Sequence, residues 1–406
     1  MAILEPLRQH LGTRLLGPAE PDEVGLSAER LARLSEVFQR EIDRKRLPGM
    51  VALVARRGKI AYCESLGVRD PASGALMLQD AIFRIYSMTK PIVSVAVMML
   101  VEQGHLLLVD PLHKFLSAFS DMKVARYRDR GDVEMVPADR PITIQDLLRH
   151  TSGLTYEFIG TGPVPGLYNT AKIFRRDQTN AEHAATLAGL PLAYQPGTRW
   201  DYSRSTDVLG RVIEVVSGQT LRAFLNKHIM EPLGMVDTDF FAPPEKHDRL
   251  AEPFSSDPDS GEPVRLINVR EPPSFESGGG GLVSTVMDYA RFCQMLANGG
   301  CLGSTRLLSR KTIEYMTADH LGGIQGTSDL LAPGYGFGLG FTVRLVTGTA
   351  QVPGSVGHYG WGGIAGTSFW VDPLEDCFAV LMMQGPGQRD YFRPLFRTLV
   401  YAAFED

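Results

Sequence analysis

The stretch AIFRIYSMTKPIVSVAVMMLVEQG (residues 81–104) decides how the rest of the chain is read. Residues 81–86 form an apolar, strand-like run. Residues 88–103 continue as a helical pattern that Gly104 ends. Pro91 falls in the first turn, where its missing N–H costs little. Ser87 therefore sits at a helix N-terminus, where free N–H groups and the macrodipole favour developing negative charge. Lys90 lies one turn later on the same face, within reach of the Ser87 hydroxyl. Two readings stand on these residues alone. Ser87 is a helix N-cap, or it is a nucleophile with Lys90 as its base. A second Ser-x-x-Lys, Ser120-Asp-Met-Lys123, lacks such a setting and reads as solvated loop. A pattern this short turns up by chance about once or twice in a chain this long.

Outward from this stretch, residues 27–46 carry Leu31, Leu34, Phe38 and Ile42 at helical spacing after Ser27, and Pro48-Gly49 stops them. Residues 50–56 and 60–66 flank Arg57-Gly58-Lys59 and read as an antiparallel hairpin. Residues 120–140 are charge-rich and predict an exposed excursion. Helices are predicted over 142–149, 205–217, 220–231 and 286–297. Strand character returns over 336–346, 366–373 and 377–384, and an amphipathic helix over 389–404 closes the pattern. The fold class expected is α/β (α+β): an antiparallel sheet built from both ends of the chain, flanked by terminal helices, plus a mainly helical inserted domain. The expected boundaries are 1–118 and 290–406 for the sheet domain and 119–289 for the insertion. The active site is expected in the cleft between them.

Composition narrows the function classes. Of 406 residues, 44% are hydrophobic and 21% charged, which excludes collagen, coiled coil and wholesale disorder. The formal charge of -5 gives no basic field for nucleic acid. No apolar run is long enough to span a bilayer. Glu5, Arg8 and His10 interrupt any signal-peptide core, so a cytoplasmic location is expected. Cys63, Cys293, Cys301 and Cys377 form no CxxC pair and read as buried or half-buried thiols. The nine histidines are scattered, without HExxH, so no metal is expected. There is no Gly-x-Ser-x-Gly elbow, GxGxxG or Walker loop, and no cofactor is expected. The glycines at 278–281 read as a tight turn entering helix 286–297.

A serine–lysine pair is completed by a phenol, since a lysine stabilises a nearby phenolate. The candidate is Tyr202, in the loop Trp200-Asp-Tyr202-Ser-Arg204 before helix 205–217. The plainer reading is a tyrosine packing its ring. The segment Gly357-His358-Tyr-Gly360-Trp361-Gly-Gly363-Ile364 places glycines on a strand, where a substrate can approach closely. Its N–H groups could complete an oxyanion hole with that of Ser87. The plainer reading is a bulged strand.

Together these pieces resemble the serine β-lactamase and penicillin-binding-protein superfamily, and most closely the family VIII carboxylesterases. The landmarks are Ser87-Met-Thr-Lys90, ITIQDLLRHTSGL (142–154), QPGTRWDYS (195–203), EPLGM (231–235), GGGGLVST (278–285) and GHYGWGG (357–363). The resemblance implies a β-lactamase/transpeptidase-like fold, Ser87 as nucleophile and Lys90 with Tyr202 as the acid/base pair. Class C β-lactamases carry Tyr-x-Asn and Lys-Thr-Gly. Here the first becomes Tyr202-Ser-Arg204. The second becomes His358-Tyr-Gly360 or Trp361-Gly-Gly363, which draws the oxyanion N–H from Trp361 or from Ile364. Ile364 is preferred. Losing the lysine removes a cationic anchor and adds an indole, which favours neutral, apolar acyl groups over carboxylate-bearing lactams.

The activity implied is a serine carboxylesterase that hydrolyses short-acyl, small-molecule esters. β-Lactamase, D-amino-acid peptidase and acyltransferase activities share the same acyl-enzyme and stand as alternatives. A catalytically dead relative that acts as a binding or filament-forming protein is a third reading, opposed by the intact Ser87, Lys90 and Tyr202.

Overall fold

The structure is a computed structural model that describes residues 14–127, 133–159 and 163–406. Glu5, Arg8 and His10, on which the signal-peptide reading rests, lie outside the described residues, as do residues 128–132 of the charged segment.

The first helix, α1 (Ala28–Asp43), turns Leu31, Leu34 and Phe38 inward. The hairpin follows as β1 (Gly49–Arg56) and β2 (Lys59–Asp70), paired antiparallel. Arg57 and Gly58 both have positive φ, as a tight two-residue hairpin turn requires. β1 is buried along its whole length, so alternate residues must satisfy two apolar layers. Met50, Ala52 and Val54 pack on the layer that includes Leu31, Leu34 and Phe38. Val51, Leu53 and Ala55 face the larger core.

Helix α2 (Thr89–Glu102) runs through that larger core, and every residue from Thr89 to Leu100 is buried. A helix apolar on all sides belongs at the centre of a fold rather than on its surface. Behind it come the short α3 (Ile144–Leu148), then α4 (Ser205–Ser217) and α5 (Val286–Ala297). The chain then returns to the sheet as β3 (Tyr335–Phe337), β4 (Thr342–Arg344), β5 (Tyr359–Gly362), β6 (Gly366–Asp372) and β7 (Cys377–Gln384), before helix α6 (Arg389–Tyr401). The main path of the sheet runs β2-β1-β7-β6-β5-β4-β3, with Gly17–Pro18 added parallel on the outer edge of β2. Strand β7 pairs with β1, Leu53 opposite Val380. Helix α6 turns Phe392 and Phe396 against Phe38 and Trp370. The sheet is thus antiparallel along its main path, drawn from both ends of the chain and covered by α1 and α6.

Three expectations change. Residues 120–140 hold a β-hairpin, Lys123–Tyr127 against Val133–Pro137, rather than a solvated excursion. Lys123 and Arg126 stay exposed while Met122, Val124 and Ala125 are buried, and Val124 bridges to Leu192. The helix expected over 220–231 is broken into Leu221–Leu225, a wider π turn over Asn226–Met230 and a last turn Glu231–Leu233. Of the run 81–86, only Phe83–Arg84 forms a strand, paired with Val283–Ser284. All four cysteines are free, Cys293 and Cys377 buried and the other two half-buried. Among the described residues no helix is long and apolar enough to cross a membrane.

Candidate active site

Ser87 lies in a 3-10 turn, Tyr86–Met88, that feeds directly into α2. Tyr86 holds a φ of 43°, a left-handed conformation that a non-glycine residue keeps only when its surroundings impose it. Four bonds impose it here. The Ile85 N–H donates to the Leu282 carbonyl at 3.1 Å. The Leu282 N–H donates to Thr89 Oγ1 at 3.2 Å. The Ile267 N–H donates to the Tyr86 hydroxyl, and the Tyr289 hydroxyl donates to the Met88 carbonyl, both at 2.9 Å.

Lys90 is 1% exposed. Its Nζ donates to the Gly279 carbonyl at 2.6 Å and lies 2.9 Å from the Tyr156 hydroxyl and 3.2 Å from Ser87 Oγ. Burial pushes its pKa down from 10.5 to about 7, Asp207 opposing the shift and Arg204 adding to it. The physical cause is desolvation, which penalises the ammonium form. The amine thus has a neutral form near neutral pH. The carbonyl of Gly279 can only accept, so its bond fixes one N–H and leaves the remaining amine valences facing Ser87 and Tyr156.

Tyr202 presents its ring face to Lys90, 4.5 Å from Nζ. Its hydroxyl accepts from Trp361 Nε1 at 3.0 Å. Burial raises the phenol pKa, while hydrogen bonds to Ser87 and Trp361 pull the other way. Ser87, Lys90 and Tyr202 therefore converge, but the hydroxyl bonded to the lysine is that of Tyr156. Tyr156 is buried, its pKa raised well above the usual phenol by burial first and by Tyr202 next. It lies two residues past the landmark at 142–154, and no local pattern marks it out.

The glycine-rich turn at 278–281 is more than an entry to α5. Asp207, in the first turn of α4, accepts the Gly279 N–H at 2.9 Å and the Ser277 hydroxyl. Arg204 pairs with Asp207 and with Glu157. A Cβ on residue 279 would stand 2.7 Å from Asp207 Oδ2. Asp207 thus sets the peptide whose carbonyl holds Lys90, and only glycine fits there.

Strand β5 borders Ser87 closely. A Cβ on Gly363 would run into the Ile85 carbonyl. The Gly363 N–H is bound to the Thr367 carbonyl at 2.8 Å. Among the described residues nothing accepts the N–H of Ser87 or of Ile364, so both can serve an oxyanion. Trp361 is half-buried with its ring against Tyr202 and Phe337. His358 lines the same cavity, but its Nε2 meets the Tyr335 hydroxyl at 3.0 Å and Arg397 at 3.2 Å, not the serine–lysine–tyrosine group. Burial, then Arg397 and Arg344, push its pKa down to about 2. It is a neutral wall residue.

The cavity over Ser87 has a volume of about 850 Å³ and a rim of Phe158, Phe174, Leu330 and Ile364. A hydroxyl beside a partly neutral amine, a protonated phenol and two free N–H groups can form and hydrolyse an acyl-enzyme. Among the described residues no cluster of His, Cys, Asp or Glu is gathered that could hold a metal ion.

Known proteins resemble this chain in sequence and in fold. The chain matches the Beta-lactamase family over residues 34–402. It is 36% identical over 349 residues to an uncharacterized protein of Mycobacterium tuberculosis, covering 83% of this chain and 86% of that one. It is 35% identical over 408 residues to esterase EstB of Burkholderia gladioli, covering 94% and 98%. Among solved structures it matches EstCE1, a hydrolase with promiscuous acyltransferase activity. The TM-score is 0.79 at 28% identity, covering 92% of this chain and 99% of that one.

Proposed function

The chain belongs to the beta-lactamase family and is a serine hydrolase, and from that premise we propose that it is a carboxylesterase acting on small esters with short acyl groups. The observation that carries the choice of ester over lactam is the Trp361–Tyr202 hydrogen bond. At this wall an indole N–H, not a lysine ammonium, meets the catalytic phenol. The arginines nearest β5 are already engaged. Arg393 donates to the carbonyls of Gly363, Gly366 and Thr367. Arg397 donates to Tyr335 and lies over the Trp370 ring. Among the described residues a carboxylate adjoining the reacting carbonyl has no free cation there, whereas an ester needs none.

Each proton has a place in this reading. Ser87 Oγ attacks the ester carbonyl and passes its proton to neutral Lys90. The Ser87 and Ile364 N–H groups hold the oxyanion. Tyr202, a neutral phenol because burial raises its pKa, protonates the departing alkoxide. The resulting phenolate is held by the Trp361 N–H and by the new Lys90 ammonium against its ring. Water then gives a proton to the phenolate and attacks the acyl-enzyme. Ser87 leaves with the proton returned by Lys90. The base role thus passes from Lys90 in acylation to Tyr202 in deacylation. An alcohol in place of water gives acyl transfer, for which the open cavity has room.

The test is hydrolysis of p-nitrophenyl butyrate and of nitrocefin by the wild type and by Ser87→Ala. Ester turnover that falls at least about 10⁴-fold in the variant, with slow nitrocefin cleavage, is the expected result. Fast nitrocefin and poor ester turnover would move the protein to the lactamase alternative. A new ester formed with added alcohol would establish acyl transfer. Ester turnover surviving in Ser87→Ala would remove Ser87 from the role.

A further inference from the structure

The cavity wall is cationic. Among the described residues its lining includes Arg176, Arg204, Arg389, Arg393 and Arg397, and no aspartate, glutamate or lysine. The whole chain carries a net charge of -5, so this is a local feature. Four of these arginines have partners. Arg204 pairs with Glu157 and Asp207. Arg389 reaches Asp390 and the Pro386 carbonyl at the mouth. Arg393 and Arg397 are engaged as described above. Arg176 differs. Among the described residues its Nη2 is out of solvent with no hydrogen-bond partner, and the side chain joins no ion pair with any of them. Burial lowers its pKa, and among the described residues the phenol of Tyr86 is the neighbour that opposes the shift. Phe174, Ile267 and Phe275 line the cavity with it.

A guanidinium N–H group withdrawn from water and left without an acceptor is destabilising by itself. The same group becomes favourable when a ligand brings an anion, because a guanidinium fork binds a carboxylate through two charge-assisted bonds. We propose that Arg176 anchors a carboxylate carried by the ester substrate, on a part of the molecule away from the scissile carbonyl. The substrate is then an amphipathic acid: an ester end at Ser87, a hydrocarbon middle against the apolar rim, and an anionic end at Arg176. This inference rests on the esterase reading and sharpens it. The wall beside Trp361 holds the neutral reacting end, and Arg176 selects an anion elsewhere in the molecule.

The experiment compares kcat/KM for acid and neutral ester pairs. Mono-p-nitrophenyl glutarate against p-nitrophenyl butyrate places the carboxylate on the acyl part. 4-Acetoxybenzoate against phenyl acetate places it on the leaving group. The expected result is a preference for the acid in one arm, which identifies the half that carries the anion. Arg176→Leu should remove about ten- to a hundredfold of that preference, the worth of one charged hydrogen-bond pair, and leave the neutral ester unchanged. Arg176→Lys should keep part of it. Arg389→Ala, which removes a charge from the mouth, should keep all of it. Arg176→Gln serves if Arg176→Leu does not fold. No acid preference in either arm, or a preference that survives loss of Arg176, overturns the proposal. If no ester is turned over, the esterase reading fails separately. Calorimetric binding of monomethyl glutarate and of 4-hydroxybenzoate to the wild type and Arg176→Leu then decides the anchor. Binding of either acid lost in the variant supports it, and no binding of either to the wild type refutes it.

Discussion

The turn 86–90, through Tyr86 and Ser87, and the group Tyr156, Phe158, Phe174 and Arg176 both line the cavity over Ser87, yet they are held in different ways. In the first, the hydroxyls of Tyr86, Ser87 and Thr89 and the amine of Lys90 all have partners, and α2 behind them is buried. In the second, Phe158 is 60% exposed, Phe174 is 51% exposed, and Arg176 has a donor unused. Tyr156 marks the border: it is rooted in the core by Lys90 and stacks outward on Phe158 at 4.7 Å. The difference teaches where reaction and selectivity are separable. On the proposed function, a change in the turn should disturb chemistry and folding together, while a change in the rim should alter which substrate is held.

The sharpest way to break this contrast is at Lys90. Lys90→Met should lower kcat/KM for p-nitrophenyl butyrate about 10³-fold. In the wild type, kcat/KM should rise with pH through about 7 and then level off, because the amine acts only after losing its proton. That limb should vanish in the variant. A flat wild-type profile would deny Lys90 the role of base. The pair of tyrosines comes next. Tyr202→Phe should cost about 10²-fold in kcat. Tyr156→Phe should cost about tenfold or less and move the limb to lower pH, since removing an acceptor from the ammonium disfavours the charged form. Equal losses without a moved limb would reverse the assignment of the two phenols. Gly279→Ala should reduce unfolding free energy by about 1–3 kcal/mol in a urea titration, with a matching fall in kcat as the Lys90 carbonyl partner shifts. The smallest effect is expected on the rim. Phe158→Ala should change KM by a few-fold, with kcat and Tm unmoved. A large fall in Tm there would show the rim to be as integral as the turn.

The same contrast explains what was legible in the sequence. MVALVAR (50–56) and CFAVLMMQ (377–384) read as strands because apolar residues occupy nearly every position, and both are buried along their length. Ser87 and Lys90 stood out because their geometry is local, the serine in the turn that feeds α2 and the lysine in its first turn. Tyr156 and Gly279 meet Lys90 across 66 and 189 residues of sequence, and no spacing rule connects them. Arg176 is hidden for the same reason, as one arginine in an irregular segment. Residues 120–140 misled through Lys123 and Arg126, whose charges point outward while Val124 and Ala125 are buried. His358 drew attention through its glycine-rich surroundings, but the fold couples it to Tyr335 and Arg397 instead.

The pairing of β1 with β7 has a consequence for how the protein comes into being. Residues 49–56 meet residues 377–384, a contact that closes a loop of most of the chain and is slow to form. During synthesis the hairpin β1–β2 emerges early, with one apolar edge unpaired until β7 follows. Such an edge invites pairing with another chain. Ser87 also emerges early, but the Ile364 N–H and Trp361 arrive only with the strands that close the sheet. On the proposed mechanism the nascent chain thus lacks part of its site while its β1 edge is unpaired, and both conditions end with the same late strand pairing.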